Sequence, residues 1–411
     1  MDKTTHVKPM TLVRYWGSFI KSLRAARRIA NDLSVPASKG WNTYLVCCFP
    51  PEDMTWLQPL LDIGAKIVYL DRPNGNYDWN CVGRTYSLCR DVGCDIFHCE
   101  NIHTSPLIGA TLARVPTRFW TKRSMNSVYE ECRKQTLRDR IAISVRISCF
   151  LTTRTIAVSK KVKDELVGLG ISESKFIVLN NPVDITGEKS SARNNIRTSF
   201  GYGSEHIVIT TVGHAVPVKG WDYLLRAFSI IAKEIKDVRL LLIGSTTAPH
   251  EQNCFEELLT IINEEEIEDK VCFTGHLTDI KDALYASDIY IQSSRSEGFS
   301  NALIEGLTAG LPSISTRVGI AEEVILPGYN GYLVEREDLD GLAQMLKKVA
   351  RNSELRKQLA NNAKKPINIP TMEEYSSRLF EIYEYYYKLQ CIRGWKRNIN
   401  EINNVPNEKT K

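Results

Sequence analysis

The 411-residue chain contains no run of eighteen apolar residues, so no membrane-spanning helix is expected. Its eleven cysteines never form a Cys-x-x-Cys, and their number is odd. That argues against a zinc site or a disulfide framework and for a reducing cytosol. The opening Met-Asp-Lys-Thr-Thr-His lacks the apolar core of a signal peptide, which again points to the cytoplasm. A formal net charge of +5 is too small to indicate a nucleic-acid partner. Hydrophobic residues, at 43%, suffice for packed cores, and the length allows two or three domains.

What the chain does have is alternation. Apolar strand-like runs fall near 9–15, 43–49, 66–70, 95–99, 117–121, 154–158 and 176–179. Helical patterns lie between them, notably at 18–32, 80–92, 104–113, 127–149 and 160–169. The stretch 180–195, with Pro182, Gly187 and two serines, reads as a linker. A second series follows, with strands near 207–212, 238–243, 270–274, 288–292 and 312–315. Two such series predict an α/β fold of two doubly wound, Rossmann-like domains facing across a cleft. Ligands are expected at the carboxyl ends of the strands.

The most informative stretch is Ser296-Glu297-Gly298-Phe299-Ser300-Asn301-Ala302-Leu303-Ile304-Glu305-Gly306. Glu297 follows a strand, and Glu305 lies about two turns into the next helix, within reach of the same cleft. Between them, Gly298, Phe299, Ser300 and Asn301 offer backbone N–H groups at a helix N-terminus, which attracts phosphate. Two acids flanking such a terminus suit a ligand with hydroxyls at both ends and phosphate between, the layout of a nucleotide-sugar. The run Val212-Gly213-His214-Ala215-Val216-Pro217-Val218-Lys219-Gly220 follows the first strand of the second series and opens a helix. A glycine turn with a lysine at such a junction can hold a diphosphate.

Residues 298–316 resemble the signature of the retaining family 4 glycosyltransferases, which have the two-domain GT-B fold. The resemblance implies that Glu297 contacts the donor sugar and Glu305 the ribose hydroxyls. Residues 212–220 resemble that family's Gly-Arg-Leu-x-x-x-Lys-Gly segment, which makes Lys219 the phosphate-binding lysine. His214 stands where the family usually has arginine, giving up a charge and a two-pronged donor. Gly244 and Gly275 end strands as in the family, and Gly275 is expected beside the nucleotide base. Ile156-Ala157-Val158-Ser159 and Leu179-Asn180-Asn181-Pro182-Val183-Asp184 match as well. The first domain matches less well. Trp16-Gly17-Ser18 keeps one glycine of a loop that is often glycine-rich near the phosphates and the acceptor. His98 and His103 are expected to flank the cleft, with His98 a catalytic candidate. Lys122 and Arg123 occupy a place where the family often has histidine, and two cations there can bind a phosphate.

These readings divide the chain into an acceptor-side domain at 1–184 and a nucleotide-sugar domain at 185–371. A C-terminal helix at 372–390 follows, crossing back to the first domain as the resemblance implies, and after Lys396 a polar, disordered tail is expected. The expected reaction is transfer of a hexose from a nucleoside-diphosphate sugar, UDP-sugar on base rates, to an acceptor hydroxyl with retention. Glu297, Lys219 and His98 are the catalytic candidates. Gly17, Gly213, His214, Gly275, Gly298, Phe299, Ser300, Asn301 and Glu305 are the donor-binding ones. No metal or cofactor is expected. A phosphorylase or epimerase of the same fold, or a scaffold that binds without turnover, are the alternatives. Residues 122–146 interleave Lys122, Arg123, Arg133, Lys134, Arg138, Arg140 and Arg146 with apolar positions. Such a basic helix can lie on an anionic membrane surface, which would suit a lipid-linked acceptor; core packing explains its apolar positions equally well.

Overall fold

The computed structural model describes residues 8–403 except 19, 21, 101–103, 126–134, 184–192, 250, 278 and 366. Within its helices, the side chains of 24, 135–141, 194–196 and 393–403 are also outside the description.

Seven strands form the first sheet: β1 (Thr11–Tyr15), β2 (Asn42–Cys47), β3 (Lys66–Tyr69), β4 (Ile96–Cys99), β5 (Thr117–Lys122), β6 (Arg154–Ala157) and β7 (Phe176–Val178). Their order is β3-β2-β1-β4-β5-β6-β7. Six form the second: β8 (Ile207–Val212), β9 (Val238–Ile243), β10 (Val271–Phe273), β11 (Ile289–Gln292), β12 (Ser313–Thr316) and β13 (Gly331–Val334), in the order β10-β9-β8-β11-β12-β13. Neighbouring strands are parallel throughout both sheets. Parallel strands are covered by helices on both faces, so central ones read as continuous buried runs. β1, β4, β11 and β12 are buried along their whole length.

Each sheet reverses its winding once, between β1 and β4 and between β8 and β11. Such switch points open a crevice at the strand carboxyl ends. Trp16-Gly17 and Glu100 follow the first pair, and Gly213 and Ser293–Glu297 follow the second. An apolar cluster joins the two halves, running from Val13, Phe97 and Trp120 through Val162 and Val183 to Phe299 and Ile320.

The helix Met372–Asn403 packs on the first domain. Tyr375, Leu379 and Tyr383 are buried in the cluster that holds Leu12, Ile29 and Leu45. Asn31 Nδ2 donates to Met372 O at 2.7 Å and to Ser376 Oγ at 2.8 Å. Full burial of such a side chain contributes roughly 1.5–3 kcal/mol, so three of them far outweigh either polar contact. The helix runs thirteen residues past Gln390, through what the sequence suggests is the start of a disordered tail. Strand β13 is the other addition. Four residues with two half-buried side chains, Tyr332 and Leu333, leave no period to read. Most of the linker expected at 180–195 lies outside the described residues.

Candidate active site

Lys219 Nζ lies 2.6 Å from Glu297 Oε1, although 78 residues separate them in sequence. The fold positions each partner. The loop after β11 is fixed by Ser293 Oγ donating to Lys219 O at 2.9 Å and by Thr316 Oγ1 donating to Ser294 O at 2.6 Å. Ser294 Oγ donates to the same oxygen of Glu297 at 2.8 Å. Gly213 lets the lysine reach across, because the lysine's methylenes lie where a Cβ at 213 would crowd them at 3.1 Å. Both charged side chains remain partly exposed, at 23% for Lys219 and 16% for Glu297. An ion pair open to solvent on one side can exchange one partner for a ligand's phosphate or hydroxyls.

The helix Asn301–Thr308 begins directly beyond this loop, with no side-chain cap on its first N–H groups. Ser300 precedes it at φ +86°, a left-handed conformation uncommon for a residue with a Cβ. Its hydroxyl is buried and makes no hydrogen bond among the described residues. A side chain at Gly319 would collide with Phe299 O and Ser300 Oγ, so glycine there leaves room for the turn. Phe299 is buried and anchors the loop in the apolar cluster. Asn301 Oδ1 accepts from Asn181 Nδ2 at 3.3 Å.

Two first-domain contacts hold this loop that the sequence reading did not foresee. Ser159 Oγ donates to Gly298 O at 2.6 Å, while accepting from Val162 N–H at 3.3 Å as the cap of the helix Lys160–Gly168. A Cβ on Gly298 would collide with the backbone of Arg123. The signal for Ser159 was present in Ser-Lys-Lys-Val, a helix start. Its partner 139 residues away was not readable.

Glu305 is half-buried on the same helix as Asn301. The fully buried phenol of Tyr290 is pushed up by its burial, and then by Glu297 and Glu305 together. Both carboxylates therefore act on one neighbourhood. At the neighbouring strand ends, Gly213 N–H donates to Ile243 O at 2.9 Å and Gly244 N–H donates to Gly275 O at 3.1 Å. Gly275 sits at φ +68° with open space around it. His214 Nδ1 meets Glu251 Oε1 at 2.8 Å, with the ring 60% exposed and the carboxylate buried. Burial opposes the Glu251 charge, but hydrogen bonds from Ser245, Ala248 and His214 outweigh it and hold the carboxyl below its usual range. His214 thus stays near the glycine turn with one nitrogen occupied.

On the first-domain side the arrangement differs from the expectation. His98 does not face the cleft. Its ring is fully buried in β4, with Nδ1 bonded to Tyr383 OH and Nε2 to Thr121 Oγ1 at 2.7 Å. Burial, then the nearby Arg14 charge, pulls it down to about 3, so the ring is neutral. It ties the sheet to the C-terminal helix, and with no nitrogen to spare it cannot serve as an acid or base at the cleft. His103 lies outside the described residues. Lys122 is buried and its Nζ, among the described residues, donates to Ser124 Oγ at 3.4 Å, with burial pulling the amine down to about 8. Arg123, one position on, stays 25% exposed. Gly17 turns at φ +67° and is buried after β1.

A polar cavity of about 340 Å³ opens beside Glu297, between Met125 and Lys161 of the first domain and Arg317, Gly319 and Glu322 of the second. No group of three or more His, Cys, Asp or Glu that could hold a metal occurs among the described residues. An Asp-x-Asp spacing exists at Asp338 and Asp340, and Asp338 is spent there as a cap, accepting from Gly341 N–H at 2.9 Å. No described helix is long and apolar enough to cross a membrane.

Two parallel, doubly wound sheets with this crevice define the GT-B architecture. The profile "Glycosyl transferases group 1" matches residues 192–366, and "Glycosyltransferase Family 4" matches 24–186. The chain belongs to the family 4, group 1 glycosyltransferases. It is 26% identical over 256 residues to the N-acetyl-alpha-D-glucosaminyl L-malate synthase of Bacillus anthracis, covering 57% of this chain and 65% of that one. It is 25% identical over 265 residues to the capsular polysaccharide biosynthesis glycosyltransferase CapM of Staphylococcus aureus, covering 63% and 68%. The matched stretches thus span about two thirds of those relatives. Among solved structures, Anabaena HepE in complex with UDP and glucose superposes with a TM-score of 0.74 at 16% identity, covering 91% of this chain and 99% of that one. A glycosyltransferase from Rickettsia africae gives 0.73 at 18%, covering 93% and 100%.

Proposed function

We propose that the protein transfers a hexose from a nucleoside-diphosphate sugar to an acceptor hydroxyl with retention, in polysaccharide or glycolipid assembly. The Lys219–Glu297 pair beside an uncapped helix N-terminus carries this reading. Donor binding inserts the diphosphate between Lys219 and the N–H groups at 299–301, and the glycine turn at 213 supplies a backbone that can approach it. Freed from Lys219, Glu297 orients the sugar hydroxyls, and Glu305 takes the ribose. As the glycosidic bond to the diphosphate breaks, negative charge grows on the leaving oxygen. A fixed ammonium and preset N–H groups stabilise that charge without reorganising. UDP-sugar is the donor we favour, supported by neighbours such as HepE that hold UDP. No cofactor is needed for this chemistry.

The test is a thermal-shift screen across nucleotides and nucleotide-sugars, followed by incubation of the best donor with candidate acceptors and proton NMR of the product. A raised melting temperature with one nucleoside diphosphate follows from mass action. An α-linked product from an α-linked donor is the expected result. A β-linked product would remove retention, and donor binding without free diphosphate release would leave a binding scaffold.

A further inference from the structure

The first sheet presents a second charged cluster, across the crevice from Lys219. Arg14 on β1 is fully buried and reaches Asp32 at 2.7 Å and Glu100. Glu100 also accepts from Arg123 Nε at 2.9 Å, and Asn181 Oδ1 accepts from Arg123 Nη1 at 2.8 Å. Burial opposes the Glu100 charge, but Arg123 and Arg14 outweigh it and hold the carboxyl well below its usual range. Arg28, on the helix Leu23–Ser38, completes the group. Its guanidinium lies 5.7 Å from the ring centre of Trp16, and that of Arg123 lies 5.8 Å from the same ring.

Three guanidiniums here face two carboxylates. Arg28 makes no hydrogen bond or ion pair among the described residues, and Nε and Nη1 of Arg14 are buried without partners. Burial and the neighbouring Arg123 both make the Arg28 charge costly. A cluster with surplus donors and one surplus charge at a partly open edge lacks an anion. The backbone of Arg123 touches Gly298, so this edge adjoins the loop that carries Glu297.

The geometry points to an anion subsite formed by Arg28 and Arg123 against Trp16, which binds a phosphate or carboxylate of the acceptor. The inference rests on the glycosyl-transfer reading for the word acceptor, but the anion site itself does not. Arginine's planar fork suits both anions, and the flat indole under two guanidiniums fixes the forks' orientation. The acceptor would then carry its reactive hydroxyl a short reach from its charged group.

The experiment is calorimetric titration of the protein, saturated with UDP, with inorganic phosphate and separately with tartrate. UDP fills the donor diphosphate site, so the remaining heat reports the second site. Stronger binding of phosphate indicates a phosphorylated acceptor, and stronger binding of tartrate a carboxylate one. Removing Arg123 would leave Oε2 of the buried Glu100 without its guanidinium partner, so Arg28→Gln is the informative variant. It should weaken anion binding about tenfold or more, with Arg28→Lys retaining part of the affinity. In a Lys219→Ala background without UDP, the same anion affinity should persist. No anion binding to the wild type, loss in Lys219→Ala with Arg28→Gln unaffected, or full competition by UDP would each overturn the site. If nucleotide-sugars fail to turn over while phosphate binding still depends on Arg28, the transferase reading falls and the anion site stands.

Discussion

Lys219 Nζ and Glu297 Oε1, 2.6 Å apart, neutralise each other where the diphosphate and the sugar are to meet. This gives the two side chains separable effects. Lys219→Ala should weaken nucleoside diphosphate binding by about ten- to a hundredfold, the range of a charge-assisted hydrogen bond, and leave nucleoside binding nearly unchanged. Glu297→Gln should keep diphosphate affinity, because Lys219 loses a competitor, and remove most turnover. Calorimetry and initial rates on the two variants check this. Equal losses for nucleoside and diphosphate in Lys219→Ala would rule out a phosphate contact, and wild-type kcat/KM in Glu297→Gln would remove the role given to that carboxylate.

The buried His98 makes a prediction about pH. Its ordinary value is 6.5, and burial holds it at about 3 in the fold. Between these values the unfolded chain binds a proton that the folded chain refuses. Stability is therefore complete above about pH 6.5 and declines as pH falls towards 3. His98→Gln should flatten that part of the melting-temperature profile between pH 7 and 4 relative to wild type, and should leave the pH profile of kcat/KM where it was. A displaced kcat/KM profile would restore His98 to the chemistry.

The donor side was legible in sequence because it is nearly continuous. Gly213 to Lys219 and Glu297 to Glu305 are two short segments, each at a strand-to-helix junction. Buried parallel strands such as Ile207–Val212 and Val238–Ile243 likewise announce themselves as apolar runs. The first-domain edge was not legible in this way. Arg14 sits on a strand, Arg28 on a helix, and Glu100 and Arg123 in two separate strand-end loops, and no period relates them. His98 was misplaced for the same reason. Its partner Tyr383 is 285 residues away on a helix whose docking only the fold reveals.

Ser159 should act as a positioning residue. Its hydroxyl joins the first domain to Gly298 O, adjacent to Glu297, and caps a helix at the same time. Ser159→Ala loses the cap, roughly 0.5–2 kcal/mol of stability. It also frees the Gly298–Phe299 peptide, next to Glu297, for which kcat should fall about fivefold, as expected for one net hydrogen bond. Ser159→Thr keeps the hydroxyl and should recover most of both. The deciding comparison is kcat well below the melting transition. A lower melting temperature with unchanged kcat would make the serine structural only.

The last prediction concerns where the acceptor is met. Most of the basic segment at 122–146 lies outside the described side chains, but its end does not. On the helix Gln135–Leu151, Val145 and Cys149 are buried, whereas Ile143 is 51% and Phe150 79% exposed. Residues 143 and 150 are two turns apart and share a face. Core packing therefore occupies one side of this helix and leaves apolar groups on the other, next to the exposed Arg146. An exposed apolar face beside cations fits an anionic lipid surface. The protein should co-sediment with anionic and not with neutral vesicles, and binding should fall as salt rises through the screening range. Ile143→Ser with Phe150→Ser should weaken it about tenfold without changing turnover of a water-soluble acceptor. Vesicles that fail to capture the protein at low salt would place the reaction in solution, with a soluble acceptor.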